Sequence, residues 1–135
     1  MFAPETKFLI TEDLHTIRTL IKEFLKRLGY DQMAEADNGL MAWNKLEEAH
    51  AAGEPFQFMI SDWNMPEMTG LELLKKCRGD DRFKDLPILM VTIESEKAYV
   101  LKAVTMGVDD FVVKPFSEKT LESKIANIFQ RRQQK

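Results

Sequence analysis

Two short apolar runs stop in acids: Phe8-Leu9-Ile10 is closed by Glu12-Asp13, and Phe58-Met59-Ile60 by Ser61-Asp62. If both runs are neighbouring strands of a parallel sheet, three carboxylates meet at one edge. Their mutual repulsion is tolerable only with a divalent cation or a proton between them, which points to metal or phosphate chemistry at Asp62. Two more apolar runs end in residues suited to the same task. Leu89-Met90-Val91 stops at Thr92, a hydroxyl, and Val112-Val113 stops at Lys114, an ammonium. Each has an ordinary explanation when taken alone. Asp13 is placed to cap the helix that follows it, Asp62 precedes the turn formers Asn64 and Pro66, Thr92 is β-branched and suits a strand, and lysine is usually solvated. Those explanations leave the set unexplained, because all five residues fall just after strands.

The elements that must position them alternate along the chain. Leu14, Ile17, Leu20, Ile21, Phe24, Leu25 and Leu28 recur at helical spacing and meet Gly29, which ends the helix. Met33-Ala34-Glu35-Ala36 reads as a short strand, and Asn38-Gly39 as a turn before a helix over 40–49 that turns Trp43 and Leu46 inward. Gly53-Glu54-Pro55 breaks the chain ahead of the Phe58 strand. Leu71, Leu73, Leu74 and Cys77 form a third helix, Pro87 to Thr92 a buried strand, and a fourth helix is expected over about 95–105. Phe111-Val112-Val113 is the fifth strand, and Leu121, Ile125, Ile128 and Phe129 mark a last helix, with a polar tail over 131–135 expected to fray. Strands that are apolar throughout rather than alternating predict a doubly wound α/β domain, a parallel sheet covered on both faces. Such sheets bind ligands beyond the carboxyl ends of their strands, where Glu12, Asp13, Asp62, Thr92 and Lys114 all fall.

Composition sets the limits. With 135 residues, 44% of them hydrophobic, the chain suits one domain over 1–135, its core over about 7–130 and its ends flexible. Acids outnumber bases by 22 to 19, for a formal charge of −3, so no bulk positive field is available to hold nucleic acid. Cys77 is the only cysteine, which excludes a disulfide framework or a thiolate metal cluster and suits a cytoplasmic setting. No apolar run approaches the ~20 residues of a membrane span. There is no glycine-rich phosphate loop; Gly39, Gly70 and Gly107 stand alone as turn or cap residues, and His15 and His50 have no partner at metal-ligand spacing. The scattered methionines, among them Met59, Met65, Met68, Met90 and Met106, suit gap filling in the core. Trp63 follows Asp62 directly and is expected beside the site, partly exposed.

Four segments, Ser61-Asp62-Trp63-Asn64-Met65-Pro66, Gly70-Leu71-Glu72-Leu73-Leu74-Lys75, Leu89-Met90-Val91-Thr92 and Val112-Val113-Lys114-Pro115-Phe116, resemble in order and spacing the receiver domain of two-component response regulators. The likeness spans nearly the whole chain and is greatest to the single-domain regulators of chemotaxis. It implies a flavodoxin-like sheet of order 2-1-3-4-5 with five helices. It also implies that Asp62 is the phosphoacceptor, taking a phosphoryl group from a histidine of a partner kinase to give an aspartyl-phosphate. Asp13, Asp62 and the backbone carbonyl of Asn64 would hold one magnesium ion, or manganese in its place, with Glu12 acting through water. Thr92 and Lys114 would contact the phosphoryl oxygens, a cis peptide before Pro115 aiming the lysine. Thr92 and Phe111 would form the switch.

The same resemblance implies a phosphoprotein switch rather than an enzyme, with only self-catalysed phosphotransfer and slow autodephosphorylation. It would be a cytoplasmic monomer working with a histidine kinase, a flagellar motor switch protein or other protein target, and a phosphatase. The output face is expected around Ser95, Lys97, Tyr99, Phe111 and Lys119. Several positions depart from the family pattern: Phe111 stands where the chemotaxis regulators carry tyrosine, Ile93 is bulkier than the usual residue after Thr92, and Glu12 replaces an aspartate. The 49–57 stretch is longer than in those regulators and is expected to be a surface loop. Two rivals stay open: a relay intermediate that passes its phosphoryl to a histidine phosphotransfer protein, and a phosphohydrolase with Asp62 as nucleophile. The second would need an acid two residues on, where Asn64 stands.

Overall fold

The computed structural model describes residues 1–93 and 102–134. Five strands, β1 (Lys7–Thr11), β2 (Gln32–Ala36), β3 (Phe58–Asp62), β4 (Ile88–Ile93) and β5 (Asp110–Lys114), form one sheet of order β2-β1-β3-β4-β5, with every pairing parallel. Helices α1 (His15–Arg27), α2 (Gly39–Ala51), α3 (Gly70–Arg78) and α5 (Glu118–Gln133) are complete. Residues 102–105 are helical, and we designate them α4. The first part of the fourth helix expected from sequence, from 95 to 101, lies outside the described residues.

The all-apolar strands are divided between two cores by their two-residue period. Leu9, Met59, Ile88 and Met90 face Trp43, Leu46, Leu73, Leu74 and Ala103 from α2, α3 and α4. Phe8, Ile10, Phe58, Ile60, Leu89 and Val91 face Ile21, Phe24, Leu25, Leu121, Ile125 and Ile128 from α1 and α5. That arrangement makes β3 the central strand, with all five of its residues buried. Asp62, its last residue, is therefore held by packing on both sides.

The boundaries differ from the sequence reading in four places. Leu14 is the exposed N-cap of α1, and Leu20 also faces outward, so the apolar stripe of that helix is narrower than its leucines suggest. α2 continues to Ala51, so part of the stretch expected as loop is helix, and the break comes at Gly53, whose φ of 77° favours glycine. α5 continues through Gln133, because Arg131 pairs with Asp110 and Arg132 with Asp109. Packing also begins ahead of residue 7: Phe2 meets Phe58 and Phe129 edge to face with centroids 5.3 and 5.0 Å away, and Tyr30 Oη donates to its carbonyl. With Phe8 between Phe58 and Tyr30, these rings form a ladder at the end of the sheet away from Asp62.

Away from the rim, Asp109 joins α3, α5 and the start of β4. Its carboxylate accepts from Arg78 at 3.1 Å, from Arg132 at 2.7 and 3.0 Å, and from the backbone N–H of Ile88 at 2.9 Å. Among the described residues, no helix is long and apolar enough to cross a membrane.

Candidate functional site

Parallel register brings the strand ends level. Thr11 lies beside Ser61, Asp62 beside Val91, and Ile93 beside Lys114, so the acids after β1 and the last residues of β3 and β5 open onto one rim. Glu12 is buried, its N–H bonded to Ala36 O at 3.0 Å and its Oε2 accepting from Leu14 N–H at 3.2 Å. Asp13 beside it is exposed and does not cap α1, whose N-cap is Leu14. Carboxylate oxygens of Glu12, Asp13 and Asp62 all lie within 4.8 Å of one another.

Lys114 reaches into this group, its Nζ 2.9 Å from Glu12 Oε1 and 3.4 Å from Asp62 Oδ1. Burial raises the Asp62 carboxyl to about 7, with the negative charge of Glu12 adding to the effect and Lys114 opposing it. Glu12 and Asp62 raise the Lys114 ammonium, against a burial that would lower it. Two buried acids and an exposed one, with Lys114 alone among the described residues pairing with them, are a hard-oxygen donor set short of positive charge. It fits a small divalent cation that keeps some of its water.

The loop that carries Asp62 into α3 is clamped. Trp63 N–H donates to Val91 O, and Gly70 N–H returns to Trp63 O, each at 2.9 Å. A Cβ on Gly70 would collide with the backbone carbonyl oxygen of Asp62, and one on Gly39 with that of Met68. Both glycines are thus required by close approach, which corrects their reading as isolated turn or cap residues. Thr69 and Glu72 form a reciprocal capping box at the start of α3. Glu67 takes φ 67°, a left-handed conformation costing roughly 1 kcal/mol or more, which the clamped loop imposes.

Thr92 is fully buried at the end of β4, its hydroxyl donating to Ile93 O at 3.3 Å. Ile93 is exposed beside it. Phe111 lies two residues before Val113, the register partner of Thr92, and is half-buried against the α2–α3 core with Lys124 Nζ 5.4 Å from its ring centroid. Asn64 and Lys119 are exposed, Trp63 is half-buried, and the Lys114–Pro115 peptide is cis. Of the expected output face, Ser95, Lys97 and Tyr99 lie outside the described residues.

The model of the response regulator receiver domain family matches residues 8–126. Chemotaxis protein CheY1 of Helicobacter pylori is 46% identical over 119 residues, covering 88% of this chain and 93% of that protein. The CheY homolog of Campylobacter jejuni is 43% identical over 122 residues, covering 90% and 91%. Among solved structures, the chemotaxis response regulator CheY4 of Vibrio cholerae superposes with a TM-score of 0.81 at 32% identity, covering 92% of this chain and 98% of that one.

Proposed function

We infer that this chain, which belongs to the response regulator receiver domain family, is a phosphorylation-controlled switch whose acceptor is Asp62. Supporting this is the meeting of Glu12, Asp13 and Asp62 at one rim with Lys114 bridging two of them. A carboxylate oxygen of Asp62 attacks the phosphorus of a phosphohistidine on a partner kinase. The new O–P bond forms as the N–P bond breaks, and the imidazole leaves with its electron pair. Asp13, Asp62 and the Asn64 carbonyl are suited to hold Mg2+, or Mn2+ in its place, with Glu12 reached through water. When bound, the ion neutralises charge on the phosphoryl oxygens.

The residues of the chain do the rest. Lys114 is tethered to Glu12 before transfer and is placed to turn to a phosphoryl oxygen afterwards, since Glu12 and Asp62 share it already. The Thr92 hydroxyl would exchange its bond to Ile93 O for one to the phosphoryl group, drawing the end of β4 toward Asp62 and letting Phe111 turn inward. Phe111 has no hydroxyl, so the readout at that position is packing. The switched face would be Phe111 and Lys119 together with Ser95, Lys97 and Tyr99.

By likeness to the chemotaxis proteins, the donor would be a chemotaxis histidine kinase, the target a flagellar motor switch protein, and a phosphatase would reset a cytoplasmic, monomeric switch. Incubation with acetyl phosphate and Mg2+ should add one phosphoryl group and alter Trp63 fluorescence. Equal labelling of Asp62→Asn would overturn the assignment.

A further inference from the structure

The peptide joining Glu12 to Asp13 links the two acids that follow β1 in the cation site, and its orientation is set from outside the site. Just before it, the N–H of Glu12, which belongs to the preceding peptide, is bonded to Ala36 O on β2 and fixes where Glu12 begins. In the peptide itself, Glu12 O accepts from Arg18 Nη1 at 2.7 Å. Arg18, on α1, is itself held: its Nε donates to Glu35 Oε1 at 2.9 Å, and Lys22, four residues on, donates to Glu35 Oε2 at 2.9 Å. Lys22 and Arg18 keep the Glu35 carboxyl below its ordinary value, so it stays an anion. A guanidinium is a rigid planar fork, and holding one edge on Glu35 fixes the direction of the other.

The plain alternative is that Arg18 merely seals α1 onto β2 through a weak, partly exposed ion pair. That role needs only the Glu35 contact and leaves the second one, to Glu12 O, unexplained. The carbonyl of Glu12 and the N–H of Asp13 belong to one rigid peptide plane, so the rotation that satisfies Arg18 also sets the direction in which Asp13 leaves the strand. Asp13 is exposed and its own carboxylate caps nothing, so its position relative to Asp62 is set by the backbone on either side: this plane before it and, after it, Leu14 N–H bonded to Glu12 Oε2.

We propose that Arg18, anchored by Glu35 and Lys22, is a positioning residue for the cation site, so that Mg2+ affinity depends on a charge network on the outer face of α1 and β2. This rests on the reading of Glu12, Asp13 and Asp62 as that site. The test is Mg2+ titration of the full chain followed by Trp63 fluorescence, with thermal unfolding of each variant measured in EDTA. Arg18→Ala should weaken Mg2+ binding about tenfold, the scale of lost second-layer contacts at metal sites. Glu35→Gln, nearly isosteric and so safe for folding, should weaken it about threefold, and the double variant should bind no more weakly than Arg18→Ala alone. Arg18→Lys should not restore affinity, because one ammonium cannot bridge Glu35 and Glu12 O as the fork does.

Wild-type affinity in Arg18→Ala or Glu35→Gln, whether or not their unfolding temperatures fall, would overturn the proposal, as would additive losses in the double variant or rescue by lysine. Asp13→Asn separates the two levels. If it binds Mg2+ as the wild type does, the cation-site assignment fails and the positioning role with it; if it loses binding while Arg18→Ala does not, only the positioning role fails.

Discussion

Replacing Asp62 with asparagine should stabilise the cation-free protein, by an amount that grows with pH. The carboxyl stands near 7 in the folded chain against an ordinary 3.8, raised first by burial and then by Glu12. The folded state therefore holds this proton more tightly than the unfolded state, and between those two values stability falls as pH rises. At about 1.4 kcal/mol per unit, the whole interval amounts to about 4 kcal/mol, an upper bound because Lys114 and Glu12 relax together. From about pH 5 to about pH 7.5, roughly two units of the interval are crossed, or ~3 kcal/mol. Asparagine keeps the shape, cannot titrate, and leaves the Lys114–Glu12 pair in place.

Urea unfolding followed by circular dichroism in EDTA, at steps across that range, should show the gap between variant and wild type widening by ~3 kcal/mol as pH rises. Magnesium at a hundred times its dissociation constant should then return about 2.7 kcal/mol to the wild type and little to the variant. A gap that stays constant with pH, or a variant less stable throughout, would refute the claim that a desolvated, repelled carboxylate stands at the end of β3.

Three further outcomes are expected. Lys114→Met removes the cation that lies 3.4 Å from Asp62 and should tighten Mg2+ binding about tenfold in a fluorescence titration, since the ion no longer competes with an ammonium. Gly70→Ala places a methyl against the Asp62 carbonyl oxygen and should cost about 2 kcal/mol in urea unfolding while slowing labelling by acetyl phosphate; unchanged labelling would show that the loop tolerates the shift. Asp109→Ala leaves Arg78 and Arg132, both mostly buried, facing each other without their shared acceptor, and should cost about 3 kcal/mol without altering Mg2+ affinity.

The rim was legible in the sequence because each of its residues interrupts an apolar run, and a parallel sheet leaves only one edge for those interruptions to share. The order of the strands was supplied by the family resemblance, since periodicity identifies strands but does not order them. Contacts between surface-like residues stayed hidden. Arg18 and Glu35 read as solvated charges, and nothing local to either shows that α1 brings one over the other. Asp109 meets Arg78 and Arg132 across separations of 31 and 23 residues, made neighbours by the return of the chain through β4 and by α5 packing back along β5. Leu14 misled in the other direction, fitting the helical period of α1 yet standing at its cap, where the stripe has already turned to solvent. Gly39 and Gly70 were visible as glycines, but their reason, a backbone pressed against another backbone, is a tertiary fact.

The aromatic ladder has a consequence for the genetics of this protein. Phe58, whose ring packs against those of Phe2 and Phe8, and Asp62 are the two ends of one five-residue strand, roughly 13 Å apart. Because β3 is gripped along its length, a loosened ring at the far end is transmitted as a misplaced acceptor rather than absorbed by a slack loop. A screen for lost signalling should therefore collect alleles at Phe2, Phe8 and Tyr30 together with those at the rim, and temperature sensitivity would distinguish the two groups.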